Sequence, residues 1–129
     1  SEVVGLDFTK PIDTDTKATL NKAFADRHVL VMRGQNFTPP EFKRAVQVFG
    51  ELQPHDKKDT FVAGHPDVYY VSNDTIVDGK RIIPGETFHT DHSNHPAPPK
   101  ATTLYAVANG GFSGGTMSVH GILRARRLR

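Results

Sequence analysis

Three histidines and an aspartate fall within the seven positions from His89 to His95, inside the stretch ETFHTDHSNHPAPP, Glu86 to Pro99. Imidazole nitrogen and carboxylate oxygen together suit a divalent metal such as iron(II), manganese or zinc. The chain has no cysteine, so disulfides and thiolate zinc sites are excluded and any metal must take nitrogen and oxygen ligands. His89 and Asp91 are spaced i and i+2. On an extended strand alternate side chains share a face, so both would point at one site and His92 away from it. With a histidine from elsewhere the pair would form a two-histidine, one-carboxylate triad, which leaves positions open on iron for a chelating co-substrate and oxygen. The H-x-D pattern alone is short, and a polar loop rich in histidine is the competing reading. A zinc site built locally from His89, Asp91, His92 and His95 is a third, but a strand sends those side chains to opposite faces. His92 and His95 read as surroundings of the site, and His28 and His65, the latter in the turn AGHPD, as structural or surface residues.

Several elements must position this cluster. Asp13 or Thr14 caps a predicted helix over 15–26, with Leu20, Ala23 and Phe24 on one face. HVLVMRG, residues 28–34, reads as a buried strand ended by glycine. Thr38-Pro39-Pro40-Glu41 supplies an N-cap, a first-turn proline and a glutamate three after the cap. Phe42, Ala45, Val46 and Phe49 then recur at helical spacing until Gly50. VYYVS at 68–72 reads as a strand, and Asp78-Gly79 between TIV and KRII as a hairpin turn. Phe88 to His92 reads as short and extended, with Pro96, Pro98 and Pro99 forbidding a helix after it. ATTLYAVA at 101–108 is a further strand, and Gly110, Gly111, Gly114 and Gly115 mark a mobile connection. Two early helices followed by antiparallel strands point to an α+β or mainly β arrangement, not an alternating βαβ chain.

The 129 residues, 36% hydrophobic and 23% charged, describe one globular domain. Four of the 16 basic residues lie in the last six positions, so the remainder carries 12 basic against 14 acidic residues. A basic tail on a mildly acidic body does not make a nucleic-acid face. No apolar run approaches the ~20 residues of a membrane span, and SEVVGLDFTK lacks the pattern of a signal peptide. The expectation is a cytoplasmic protein with neither nucleic acid nor membrane as a partner.

In order along the chain, EVVGLDFTKPID, HVLVMRGQNFTPPEFKRAVQVFGEL and FHTDHSNHPAPPKATTLYAV resemble the taurine dioxygenase family. These are iron(II)- and 2-oxoglutarate-dependent oxygenases that include taurine, alkylsulfate and phenoxyacetate herbicide dioxygenases. The resemblance runs to about Gly115 and implies a double-stranded β-helix, or jelly-roll, core with N-terminal helices. It implies that His89 and Asp91 are two of three iron ligands. Gly114-Gly115-Thr116 looks like the family's Gly-Gly-Asp-Thr, whose threonine contacts the 2-oxoglutarate carboxylate, which makes Thr116 a co-substrate residue. His55, four residues after Phe49-Gly50-Glu51, and Asn73 in VSND stand where family members face their substrate. The implied reaction hydroxylates a small anionic molecule (a sulfonate, sulfate ester or aryloxy acid) with O2, releasing succinate and CO2.

The sequence departs from the family in two ways. Thr116 follows Gly115 directly, without the aspartate, and ANGGFSGG lacks the usual proline. The chain ends 38 residues after Asp91, and no motif matches the family's third ligand, a histidine, or the arginine that pairs with the distal carboxylate. His120 and the arginines of HGILRARRLR lack the flanking pattern, and the resemblance stops after Met117. The expectation is therefore a single, incomplete domain over 1–129. Its uncovered edges favour a homo-oligomer. The alternative function is a non-catalytic fragment of such an enzyme.

Overall fold

Asp13 starts the first helix. Its carboxylate accepts the Thr16 N–H at 2.9 Å and the Thr16 hydroxyl at 2.6 Å, capping donors that the helix cannot satisfy itself. The computed structural model, which describes residues 1–53, 61–72, 75–82, 91, 96–107 and 115–121, places this helix, α1, at Thr14–Arg27. His28 closes it in the left-handed conformation (φ 64°), its N–H donating to the Phe24 carbonyl at 2.8 Å. The predicted strand therefore begins one residue later. It also runs one residue past the glycine expected to end it. Strand β2 spans Val29–Gln35, with a register shift between Met32 and Gln35 and Gly34 at φ 67°. A left-handed residue inside a strand is the signature of a glycine bulge.

Helix α2, Pro39–Gln47, forms where the capping sequence predicts. The Glu41 carboxylate accepts both the Thr38 N–H at 2.8 Å and the Thr38 hydroxyl at 2.6 Å. Its end is tighter than the glycine signal suggests. The Val48 and Phe49 N–H groups bond the carbonyls three residues back, at 3.3 and 3.0 Å, which winds the chain inward and buries both side chains.

Strand β1, Glu2–Val3, precedes both helices and pairs parallel with β2, Glu2 in register with Val31. This parallel βαβ unit was not expected. A two-residue strand is too short to show a period in the sequence. The later strands are β3 (Phe61–Val62), β4 (His65–Tyr69), β5 (Thr75–Val77), β6 (Lys80–Ile82), β7 (Ala101–Ala106) and β8 (Gly115–Gly121). The main sheet has the order β1-β2-β8-β7, antiparallel at both later steps. The expected strand at 68–72 starts earlier and ends earlier, so His65 opens β4 instead of sitting in the turn. Gly115, expected in a connection, begins β8. The hairpin β5–β6 turns at Asp78 and Gly79 as predicted, both with positive φ, 51° and 73°, the geometry of a type I′ turn. Among the described residues the arrangement is α+β: one four-stranded sheet, two two-stranded hairpins and two helices on the N-terminal side.

The core lies between the helices and the main sheet. Phe8, Leu20, Phe24, Leu30, Met32, Ala45, Val48 and Phe49 are buried there, with Ala101 and Tyr105 of β7 packed against them. Phe24 and Phe49 meet edge to face, centroids 5.8 Å apart, joining α1 to the end of α2. Each large apolar side chain so buried contributes about 1.5–3 kcal/mol. Gln35 is the exception, a polar side chain only 7% exposed. Its amide donates to the Leu6 and Arg33 carbonyls, both at 3.1 Å, and its oxygen accepts the Phe8 N–H at 3.0 Å.

Gln35→Leu should lower the unfolding free energy by about 2 kcal/mol, because it strands the buried Phe8 N–H and the Leu6 carbonyl. Urea denaturation of the variant measures this, and a loss within error of zero contradicts it. The caps give a second expectation. Hydrogen bonds from Thr16, side chain first and backbone second, hold Asp13 below its ordinary value of 3.8. Thr38 does the same for Glu41, whose ordinary value is 4.5. Their stabilisation is present above those ordinary values and is lost as pH falls through the lowered ones. The double variant Thr16→Val, Thr38→Val should show a shallower decline in melting temperature between about pH 5 and pH 2 than the parent.

Candidate functional site

Asp91 is the carboxylate of the expected pair that falls within the described residues. It is half-buried and lies in a turn. Of the stretch Phe88 to His92 expected to be extended, Asp91 alone is among the described residues. His89, His55 and Asn73 lie outside the described residues, as do His92, Asn94 and His95. Among the described residues no three histidine, aspartate or glutamate side chains gather as a metal-holding group. Among them also no helix is long and apolar enough to cross a membrane.

The neighbour that Asp91 reveals is Tyr69, at the end of β4. Burial raises the phenol above its ordinary value of 10.0, and the negative charge of Asp91 raises it further. Both act against the phenolate, burial by removing water and Asp91 by repulsion. The sequence marks VYYVS only as a strand, so the role of Tyr69 beside the aspartate is visible only once the chain is folded.

β4 is held in place by charge and by packing. Lys43 on α2 pairs with Asp67, both about one-third exposed. Phe61 on β3 stands in register with Tyr69. On the α2 side, Val68 and Tyr70 help line an open groove of about 430 Å3, with Gln35, Phe37, Phe42 and Tyr105 among its other walls. Alternation along this extended stretch puts Tyr69 on the opposite face from Val68 and Tyr70. The groove wall is well fixed. Phe37, Phe42 and Tyr105 form a mutual ring cluster with centroids 5.2 to 6.0 Å apart. The Tyr105 hydroxyl accepts the Phe37 N–H at 3.2 Å and donates to the Gln35 carbonyl at 3.3 Å.

Thr116 is the second residue of β8, in register with Ala106, next to the point where Gly115 pairs with Gln35. The co-substrate residue implied by the Gly-Gly-Thr sequence thus sits at one end of the central strand pair of the main sheet. His120 stands on the same strand in register with both Val29 and Thr102. It is a sheet residue near the opposite end of β8 from Thr116.

The chain was compared with known families and structures. The model of the family described as "Taurine catabolism dioxygenase TauD, TfdA family" matches residues 1–128. The match extends past Met117, where the motif-by-motif resemblance stops, and so takes in all of β8. No solved structure matches the chain.

Removing the charge at position 91 should release Tyr69. In Asp91→Asn the Tyr69 phenol should titrate closer to 10.0 than in the parent, read as phenolate absorbance in an alkaline titration. In the parent, the stabilisation tied to this proton is fully present below pH 10.0 and is lost as pH rises through the elevated value. An unchanged tyrosine titration would mean that Asp91 does not face Tyr69.

Proposed function

Since the chain belongs to the taurine catabolism dioxygenase TauD, TfdA family, we propose that it is built to use iron(II), 2-oxoglutarate and O2 to hydroxylate a small anionic organic molecule. The substrate class is a sulfonate, a sulfate ester or an aryloxy acid. The observation that carries the reading is the family match over residues 1–128 together with the H-x-D of His89 and Asp91 inside it.

The donor chemistry fits the metal. An imidazole nitrogen and a carboxylate oxygen are ligands that non-haem iron(II) accepts, and Asp91 is half-buried, which restricts water around its carboxylate. Bound iron(II) would couple the decarboxylation of 2-oxoglutarate to succinate and CO2 with hydroxylation of the substrate, one atom of O2 going to succinate and one to the hydroxylated product. Each protein residue has a narrower task. His89 and Asp91 hold the metal. Thr116 offers a hydroxyl to a 2-oxoglutarate carboxylate. His55 and Asn73 orient the anionic substrate. Tyr69 stays a neutral phenol at physiological pH, burial and the charge of Asp91 both opposing its ionisation.

The same reading takes residues 1–129 as one domain with a jelly-roll core, the helices α1 and α2 lying outside the main sheet. A homo-oligomer fits that reading, because β7 lies at the edge of the main sheet with Leu104 48% exposed.

Conversion of 2-oxoglutarate to succinate by the purified protein, with and without iron(II), tests the proposal. The expected result is iron-dependent succinate formation that falls to background in His89→Ala and in Asp91→Ala. Turnover unchanged in either variant would remove that residue from the site. Stoichiometric iron binding without succinate would leave a metal-binding module and contradict the oxygenase reading.

A further inference from the structure

Two segments must meet for this site to work, and one side chain reaches both of the places that anchor them. The Lys100 ammonium donates to the Phe49 carbonyl at 2.9 Å and to the Asn21 side-chain oxygen at 2.6 Å. Asn21 in turn donates its amide to the Val48 carbonyl and to the Lys17 carbonyl, both at 2.9 Å. Lys100 and Asn21 therefore close the end of α2. The carbonyls there have no helical partner and carry partial negative charge, which favours a cation.

The place of this clasp in the chain gives it a second meaning. Phe49 lies six residues before His55, at the start of the segment that leaves α2. Lys100 lies nine residues after Asp91, at the end of the segment that carries it, and immediately before β7. Pro96, Pro98 and Pro99 stand between Asp91 and Lys100, and each fixes one backbone torsion. In this stretch Pro96, Ala97 and Lys100 are exposed, and Pro98 and Pro99 are half-buried.

We propose that Lys100 is a positioning residue: its bridge to Asn21 and the Phe49 carbonyl sets the spacing between the end of α2 and the stretch that leads from Asp91 into β7. The importance of that spacing rests on the reading of Asp91 as a metal ligand. The bridge itself does not. Two measurements separate them.

The chain has no cysteine, so Glu51→Cys and Ala97→Cys, both at exposed positions, can carry a pair of nitroxide labels. Their spin–spin distance distribution reads the spacing without metal. Lys100→Met keeps the aliphatic stem and removes the ammonium. It should broaden the distribution. Lys100→Arg should narrow it again, because a guanidinium offers several donors to the same two acceptors. Asp13→Ala, which loosens α1 at its other end, should leave the width as in the parent. A Lys100→Met distribution as narrow as the parent's, or no broader than that of Asp13→Ala, overturns the proposal.

The second measurement is cobalt(II) affinity from its visible absorption in the unlabelled protein, cobalt standing in for iron. Lys100→Met should weaken it about tenfold, the scale at which groups supporting metal ligands act. Lys100→Arg should recover most of that loss, and Asp13→Ala should show none. Unchanged cobalt affinity in a Lys100→Met protein with a broadened distribution refutes the positioning role while leaving the bridge. A parent that binds no cobalt contradicts the proposed function instead, and the distance distributions then decide on Lys100 by themselves.

Discussion

The amide of Gln35 is buried at the end of β2 with its oxygen accepting from Phe8 and its nitrogen donating to Leu6 and Arg33. A buried amide left unpaired would cost more than most single contacts contribute, so this side chain tolerates only one arrangement of its surroundings. It fixes the N-terminal segment over the core, and Phe8, 2% exposed, is delivered there by the same bond. The backbone of Gln35 continues the constraint. Its carbonyl accepts the Tyr105 hydroxyl, which also takes the Phe37 N–H, so the entry to α2 and the end of β7 are referenced to one residue. The bulge at Gly34 is what turns Gln35 inward, since an uninterrupted strand would have sent it to the face opposite Met32 and its neighbours.

From that fixed centre, two lysines carry order outward to the site. Lys43 reaches from α2 to Asp67 and holds β4, and with it Tyr69. Lys100 reaches from the start of β7 to α1 and the end of α2. Exposed ion pairs such as Lys22 with Asp26 contribute little, because water screens them. The pair of Lys43 with Asp67 and the bridge of Lys100 to Asn21 and Phe49 differ in joining elements far apart in sequence. The apolar core gives the molecule its stability, and these polar ties connect α1, α2, β4 and the start of β7 around it.

The sequence makes the helices plain. The capping run Thr38 to Glu41 and the spacing of Leu20 and Phe24 act locally, within a turn or two, so each is readable without knowing the rest of the fold. The Asp78-Gly79 turn is readable for the same reason, because its positive torsions need those residue types. β1 was not readable. Two residues carry no period, and what holds them is pairing with a strand 29 residues away. The inward amide of Gln35, the reach of Lys100 and the approach of Asp91 to Tyr69 share that property, since each partner is distant in sequence. The proposal of His89 and Asp91 as a metal pair rests on residue type, spacing and the family match. The turn at Asp91 carries no glycine or proline signal in its immediate neighbours, Thr90 and His92. The motif-by-motif resemblance also stopped short at Met117, although the family match continues through β8 to residue 128. Pattern over a whole chain outweighs individual motifs once the motifs diverge.

The central claim is that His89 and Asp91 hold iron. It is tested most directly by the X-ray absorption spectrum of the protein loaded anaerobically with iron(II). The account predicts a first shell of nitrogen and oxygen with the outer scattering of an imidazole ring, and the loss of that imidazole component in His89→Ala. A spectrum indistinguishable from aqueous iron(II), or one whose imidazole component survives in His89→Ala, would contradict it.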